Sequence, residues 1–257
     1  MSKHYKLVFY SRIFLFLAAF TGVYLEITRH GGFGMLLYYT VLSNLLVTIF
    51  TLYLLKVMSR VGENWQRPSL LRLKGGVTMS IMITCVIYHF LLAPIATNFY
   101  TLENFLCHYI VPIWFLADTL FFDKQGQYKI WDPAVWTILP FLYMMFALFN
   151  GLVLKLNIPN AKDNPFPYFF LNVNKGWNVV FKWCLIIFVA YMVAGFIFYF
   201  IKQIKRKSSN TLRKSLQTHV KFPSATSKHC FEQPAASFLV CSLIFIEYEI
   251  QGIHFRI

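Results

Sequence analysis

Residues 35–55 read MLLYYTVLSNLLVTIFTLYLL. The run carries no charged side chain and is about as long as a helix must be to cross the hydrocarbon core of a bilayer, roughly 20 residues. Its polar residues are not scattered. Thr40, Ser43, Asn44, Thr48 and Thr51 fall at i, i+3, i+4, i+8 and i+11, which is one face of a helix. In lipid such a face must turn toward other protein, so the stretch predicts a helix inside a bundle.

Five further apolar stretches qualify as spans: residues 7–27, 77–95, 105–122, 135–154 and 179–201. The composition agrees. Hydrophobic residues make up 58% and charged residues 13%, with a mean hydropathy of +0.55, values outside the range of soluble domains. The first stretch is expected to remain in the mature protein, because it is long, lacks a small-residue cleavage site and is followed closely by another span. The expected fold is an all-α integral membrane protein. A six-transmembrane-helix bundle occupies residues 1–207, and a polar, poorly ordered tail without an assigned role occupies residues 208–257.

The net charge of +14 is read from where it falls. Lys3, Lys6 and Arg12 lie at the start, Lys56, Arg60, Arg67, Arg72 and Lys74 between spans two and three, and Lys202, Lys205, Arg206 and Lys207 after span six. With alternating spans these share one side, whereas the opposite loops hold only Arg29, Lys155, Lys162 and Lys175. The bias predicts that both termini are cytoplasmic. It serves as an orientation signal with some attraction to anionic membrane lipids, and no nucleic-acid partner is expected. Cys85, Cys107, Cys184, Cys230 and Cys241 have no paired spacing; they read as unpaired thiols, with no metal and no cofactor implied. No oligomeric state is read from the sequence.

Two polar words bear on chemistry. One is YYTVLSNLLV in span two, the other LCHYIVPIW in span four, which carries His108 and Pro112. Proline has no N–H, so the carbonyl of His108 is expected to lose its helical partner and the backbone to kink. Both spans run inward from the outer side. Thr40 therefore lies about 8 Å and His108 about 5 Å below the start of its span, at a rise of 1.5 Å per residue. At one depth, a threonine hydroxyl and an imidazole are a candidate nucleophile and base. Asp118 is about 15 Å further along the same helix, too far to orient that imidazole. Span three adds Cys85, Tyr88 and His89 on one face, with Tyr88 and His89 as candidate substrate contacts. Asn44 and Ser43 are candidate helpers, either to bind substrate or to steady an oxyanion. The plainer reading of Ser43, Thr48 and Thr51 is that small hydroxyl residues let helices approach and hydrogen-bond. The loop KLNIPNAKDNPFPYFFLNVNKGW, residues 155–177, reads either as an aromatic interfacial belt or as a cap over the outer mouth.

The words YYTVLSNLLV, HYIVPIWFLAD and NPFPYFFLNV together resemble the bacterial branch of the androgen-induced transmembrane protein family, over residues 1–205. Animal members are multi-pass hydrolases that cleave fatty acid esters of hydroxy fatty acids with an intramembrane threonine and a histidine. The resemblance implies Thr40 as nucleophile, His108 as base, a lipid ester as substrate and, for a bacterial protein, the inner (plasma) membrane as location. Phe170 and Asn172 depart from the family's loop phrase, and the tail has no counterpart in it. The leading expectation is an intramembrane threonine hydrolase. The alternative is a noncatalytic multi-pass protein that binds or transports a small solute; the absence of an internal repeat speaks against transport. A third reading, haem held by His89 and His108, rests on two histidines in the outer halves of neighbouring spans.

Overall fold

The computed structural model describes residues 2–95 and 100–204, which belong to one unit, Met1–Arg206. The expected tail of residues 208–257 lies outside the described residues. Those described are all helix and loop, and six helices are long and apolar enough to cross a membrane. They are α1 (Lys3–His30), α2 (Tyr39–Trp65), α3 (Pro68–Ile95), α4 (Leu102–Phe122), α5 (Asp132–Leu154) and α6 (Trp177–Gln203). Every expected span is present, and each runs past at least one of its expected ends. Apolar windows stop at charged turns, yet the helix continues through them, as α3 does through Arg72 and Lys74.

Local chemistry fixes the helix starts. The Ser2 hydroxyl accepts from the Tyr5 N–H at 3.2 Å, Pro68 opens α3, and the Thr101 hydroxyl accepts from the Asn104 N–H at 3.4 Å. Helices α1 to α4 pack on one another, α5 leans on α3, and α6 on α5. Leu15, Val47, Leu54, Leu71, Val111 and Phe115 fill the space between the first four. In α5 and α6 only 17% of the central window is buried, against 33–50% in the other four, so these two form an outer pair whose apolar side chains face outward.

One end of the bundle is tied by charge. Asp118 receives Arg12 Nε at 3.1 Å and Lys74 Nζ at 2.5 Å, while Asp123 receives Arg12 Nη2 at 3.1 Å and Lys74 Nζ at 2.8 Å. Lys202 of α6 donates to the carbonyls of Thr119 and Asp123 at 2.9 and 2.8 Å. The Arg12 guanidinium also lies 4.0 Å over the Trp65 ring. All five charged side chains are buried, and they join α1, α3, α4 and α6. This corrects the reading of the basic residues. Arg12, Lys74 and Lys202 are internal rather than loop charges, and Arg72 is paired with Asp132 at 2.5 Å. The basic residues outside the cluster at this end include Lys3, Lys6, Lys56, Arg60, Arg67, Lys124 and Lys129.

At the opposite end the loop of residues 155–176 folds inward as a cap. Phe166, Tyr168, Phe170 and Leu171 are buried. Asn150 holds the loop's base, donating to the Pro165 carbonyl at 3.0 Å and accepting from the Leu156 N–H at 3.2 Å. Tyr38 reaches the Pro159 carbonyl at 2.7 Å and Asn160 the His30 carbonyl at 2.8 Å. Close approach requires glycine, as two positions show. A Cβ at Gly31 would meet Pro159 at 2.3 Å, and one at Gly151 would meet the Phe166 ring at 2.0 Å.

Asp118→Asn leaves two buried cations short of a carboxylate, so it is expected to cost on the order of 3–5 kcal/mol. Adding Lys74→Met should restore part of that loss. Unfolding in detergent tests both; an Asp118→Asn protein as stable as the wild type contradicts the assignment.

Candidate functional site

The site begins with a proline. In an α-helical register the N–H at position 112 would serve the carbonyl of residue 108. Helix α4 instead widens into a π turn over Leu106–Ile110, with the Val111 N–H on the Leu106 carbonyl. In that register Pro112 stands opposite the Cys107 carbonyl, and it has nothing to donate. Asn44 of α2 supplies the missing donor: its Nδ2 reaches the Cys107 carbonyl at 3.0 Å and the Thr40 carbonyl at 2.8 Å. The kink expected at His108 is therefore a π turn, and the rescued carbonyl is the one before it. Such turns recur at functional sites because they re-aim side chains.

The re-aimed side chain is His108. Its Nε2 lies 3.3 Å from the Thr40 hydroxyl and its Nδ1 lies 3.1 Å from the Asn104 carbonyl. A carbonyl only accepts, so in the neutral ring Nδ1 carries the proton and Nε2 presents its lone pair to Thr40. The Tyr88 ring stacks on the imidazole, with centroids 3.7 Å apart and planes at 23°. One turn earlier, Glu103 receives Arg29 at 3.3 Å and His30 at 2.9 Å, which pins the start of α4 to the end of α1. The ring is thus held on its face by Tyr88 and at its edge by Asn104. A separation of 3.3 Å is longer than an ideal O–H···N bond, as is common for acid–base pairs without substrate.

Thr40 has a second neighbour. A cavity of about 420 Å³ lies between α3, α5, α6 and the cap, with Thr40 and Tyr168 in its wall. The rest of that wall is almost wholly apolar, including Ile83, Ile87, Met144 and Leu171. Phe141, Phe181 and Leu185 also line it and are exposed on the outer surface of α5 and α6. The cavity therefore opens sideways between these helices, in the apolar belt. Thr40 lines it and also contacts His108, which does not line it.

Tyr168 was not legible as a site residue. Its phenol oxygen faces the Thr40 and Tyr143 hydroxyls and the backbone N–H groups of Tyr39 and Thr40, in the first turn of α2. Burial pushes this phenol above its usual range, against the pull of those donors, so it stays protonated at neutral pH. It arrives on a loop without periodicity, and no spacing in the sequence relates it to Thr40.

The other candidates take different places. Both Asn44 N–H donors are engaged with carbonyls, so it braces α2 against α4 and has none left for a substrate; its Oδ1 is buried without a partner among the described residues. Ser43 donates to the Thr40 carbonyl at 3.1 Å, pairs with Thr84 at 2.8 Å and lines a separate space of about 290 Å³. Tyr88 supports the imidazole and does not line the larger cavity. His89 is exposed, 3.3 Å from the Tyr109 hydroxyl, and outside the cluster. The residues of the polar face of α2, from Thr40 to Thr51, are all buried. Asp118 belongs to the charge cluster at the far end.

Comparison with protein-family models, with curated proteins and with solved structures gave no match.

Asn44→Ala leaves the Cys107 carbonyl unpaired, at an expected cost of about 1–3 kcal/mol. Adding Pro112→Ala, which returns a backbone N–H to α4, should recover part of the loss in detergent unfolding. Strict additivity of the two substitutions contradicts the proposed exchange of donors.

Proposed function

We propose that this protein is an intramembrane threonine hydrolase that cleaves a lipid ester, of the type of a fatty acid ester of a hydroxy fatty acid. The observation that carries the reading is the position of Thr40, hydrogen-bonded to a base-configured imidazole on one side and open to a lipid-facing apolar cavity on the other. The resemblance of its polar words to the androgen-induced transmembrane protein family supports the same assignment.

The chemistry follows from the tautomer. Thr40 Oγ1 attacks the acyl carbonyl carbon while its proton passes to His108 Nε2. The ester C–O bond then breaks, and the departing alcohol oxygen takes that proton from Nε2. Water attacks the resulting threonine ester, again losing a proton to Nε2, and the free acid leaves as Thr40 recovers its proton. The Asn104 carbonyl stabilises the imidazolium that forms in each half through Nδ1–H. An acyl chain suits the apolar cavity, and its lateral mouth lets a lipid enter from the bilayer. With both termini cytoplasmic the site lies toward the outer leaflet, and in a bacterium the membrane is the inner, plasma membrane. The cavity taken alone also supports a noncatalytic binder of a lipophilic solute, which turnover separates from the hydrolase.

Purified protein in detergent should hydrolyse a long-chain aryl ester. Thr40→Ala should remove the activity, Thr40→Ser should retain part of it, and His108→Ala should lower kcat on the order of 10²–10⁴-fold. Undiminished turnover in Thr40→Ala would falsify the nucleophile. Met144→Trp, which fills the cavity, should lower kcat/KM for long-chain esters much more than for acetyl esters; equal losses on both contradict the cavity as the acyl site.

A further inference from the structure

A hydrolase of this type must stabilise the negative charge that develops on the acyl carbonyl oxygen, which takes at least one donor aimed at the substrate. The nearby donors are mostly engaged elsewhere. Both Asn44 N–H groups are on carbonyls, Ser43 donates to the Thr40 carbonyl and accepts from Thr84, and the Tyr143 hydroxyl donates to the Leu37 carbonyl at 2.9 Å. Tyr39 pairs with Ser80 at 2.7 Å. Tyr168 remains. It lines the cavity beside Thr40, with its phenol oxygen against the Thr40 and Tyr143 hydroxyls and the first-turn N–H groups of α2.

We propose that Tyr168 is a catalytic residue of this reaction, donating its phenolic hydrogen bond to the substrate carbonyl oxygen as that oxygen becomes an oxyanion. The assignment rests on the hydrolase reading. As the bond from Thr40 Oγ1 to the carbonyl carbon forms, the carbonyl π pair moves to oxygen and the threonine proton moves to His108 Nε2. The phenol keeps its proton and strengthens its hydrogen bond until the carbonyl reforms and the alcohol departs. The N–H groups of Tyr39 and Thr40 lie on the oxygen side of this phenol, where their dipoles favour a more polarised O–H. This is a use for helix N-terminal donors that α2 cannot satisfy itself. The position is also rigid. Tyr168 stacks on Phe170 with centroids 5.1 Å apart and planes at 10°, and its loop is fastened at Asn150 and Asp163. A donor held without reorganisation is what electrostatic stabilisation of a transition state requires.

Steady-state kinetics of the full-length wild type, Tyr168→Phe and Thr40→Ala on a short-chain aryl ester test this. For Tyr168→Phe the expected loss is on the order of 10²–10³-fold in kcat, with KM close to wild type. Affinity for a trifluoromethyl ketone, which forms a tetrahedral oxyanion, should fall in proportion, and affinity for the product fatty acid should not. A Tyr168→Phe protein with wild-type kcat beside an inactive Thr40→Ala overturns the role of Tyr168 and leaves the hydrolase standing. A wild type without turnover removes both. If Tyr168→Phe does not fold, difluorotyrosine at position 168 preserves shape and acidifies the phenol. The titratable groups facing it, Tyr38, Tyr39 and Tyr143, are themselves phenols. The alkaline limb of the kcat–pH profile should then move to lower pH, and an unmoved limb overturns the proposal.

Discussion

Pro112 has no N–H, and much of the site follows from that. In lipid an unpaired carbonyl is costly, because no water is at hand to replace the missing donor. The chain answers with a π turn and with Asn44, whose amide bridges the Cys107 carbonyl to the Thr40 carbonyl. Two consequences arise together. The turn aims His108 toward α2, and the bridge fixes the first turn of α2 where the imidazole can reach it. The 3.3 Å contact between Thr40 and His108 is the product of a backbone defect and its repair.

The two ends of the bundle divide the work. At one end, a buried cluster of Arg12, Lys74, Lys202, Asp118 and Asp123 locks four helices together. Desolvating such charges is expensive, and replacing the whole set with apolar residues need not destabilise a protein. Their physical contribution is positional: with each carboxylate bound by both Arg12 and Lys74, a slide or rotation of one helix would strand a charge. At the other end, hydrogen bonds to carbonyls and a loop of aromatic side chains hold neutral polar groups around Thr40. A fixed register at the first end lets the second keep its groups within hydrogen-bond distance.

The membrane made much of this legible in the sequence. Bilayer thickness sets the length of a span, so six apolar stretches yielded six helices, and a rise of 1.5 Å per residue placed Thr40 and His108 at one depth. Lipid also forces polar faces inward, which is why the row from Thr40 to Thr51 is buried. Rotation was harder. Tyr88 and His89 are adjacent, yet one stacks on the imidazole and the other is exposed beside Tyr109, since neighbours on a helix diverge by about 100° and hydropathy does not say which of them faces the bundle. Arg12 and Lys74 looked like loop charges because they lie near span ends; their partners are 106 and 44 residues away. Tyr168 is carried by an aperiodic loop, and only the folded cap brings it to Thr40.

The most direct test of the central claim is chemical. Exposing the purified protein to a long-chain alkyl fluorophosphonate, then measuring intact mass and mapping the modified peptide, reports which oxygen is activated. A single phosphonyl group on Thr40 is expected, absent when the same exposure is given to His108→Ala. An adduct on another residue, or an unmodified wild type, would contradict it.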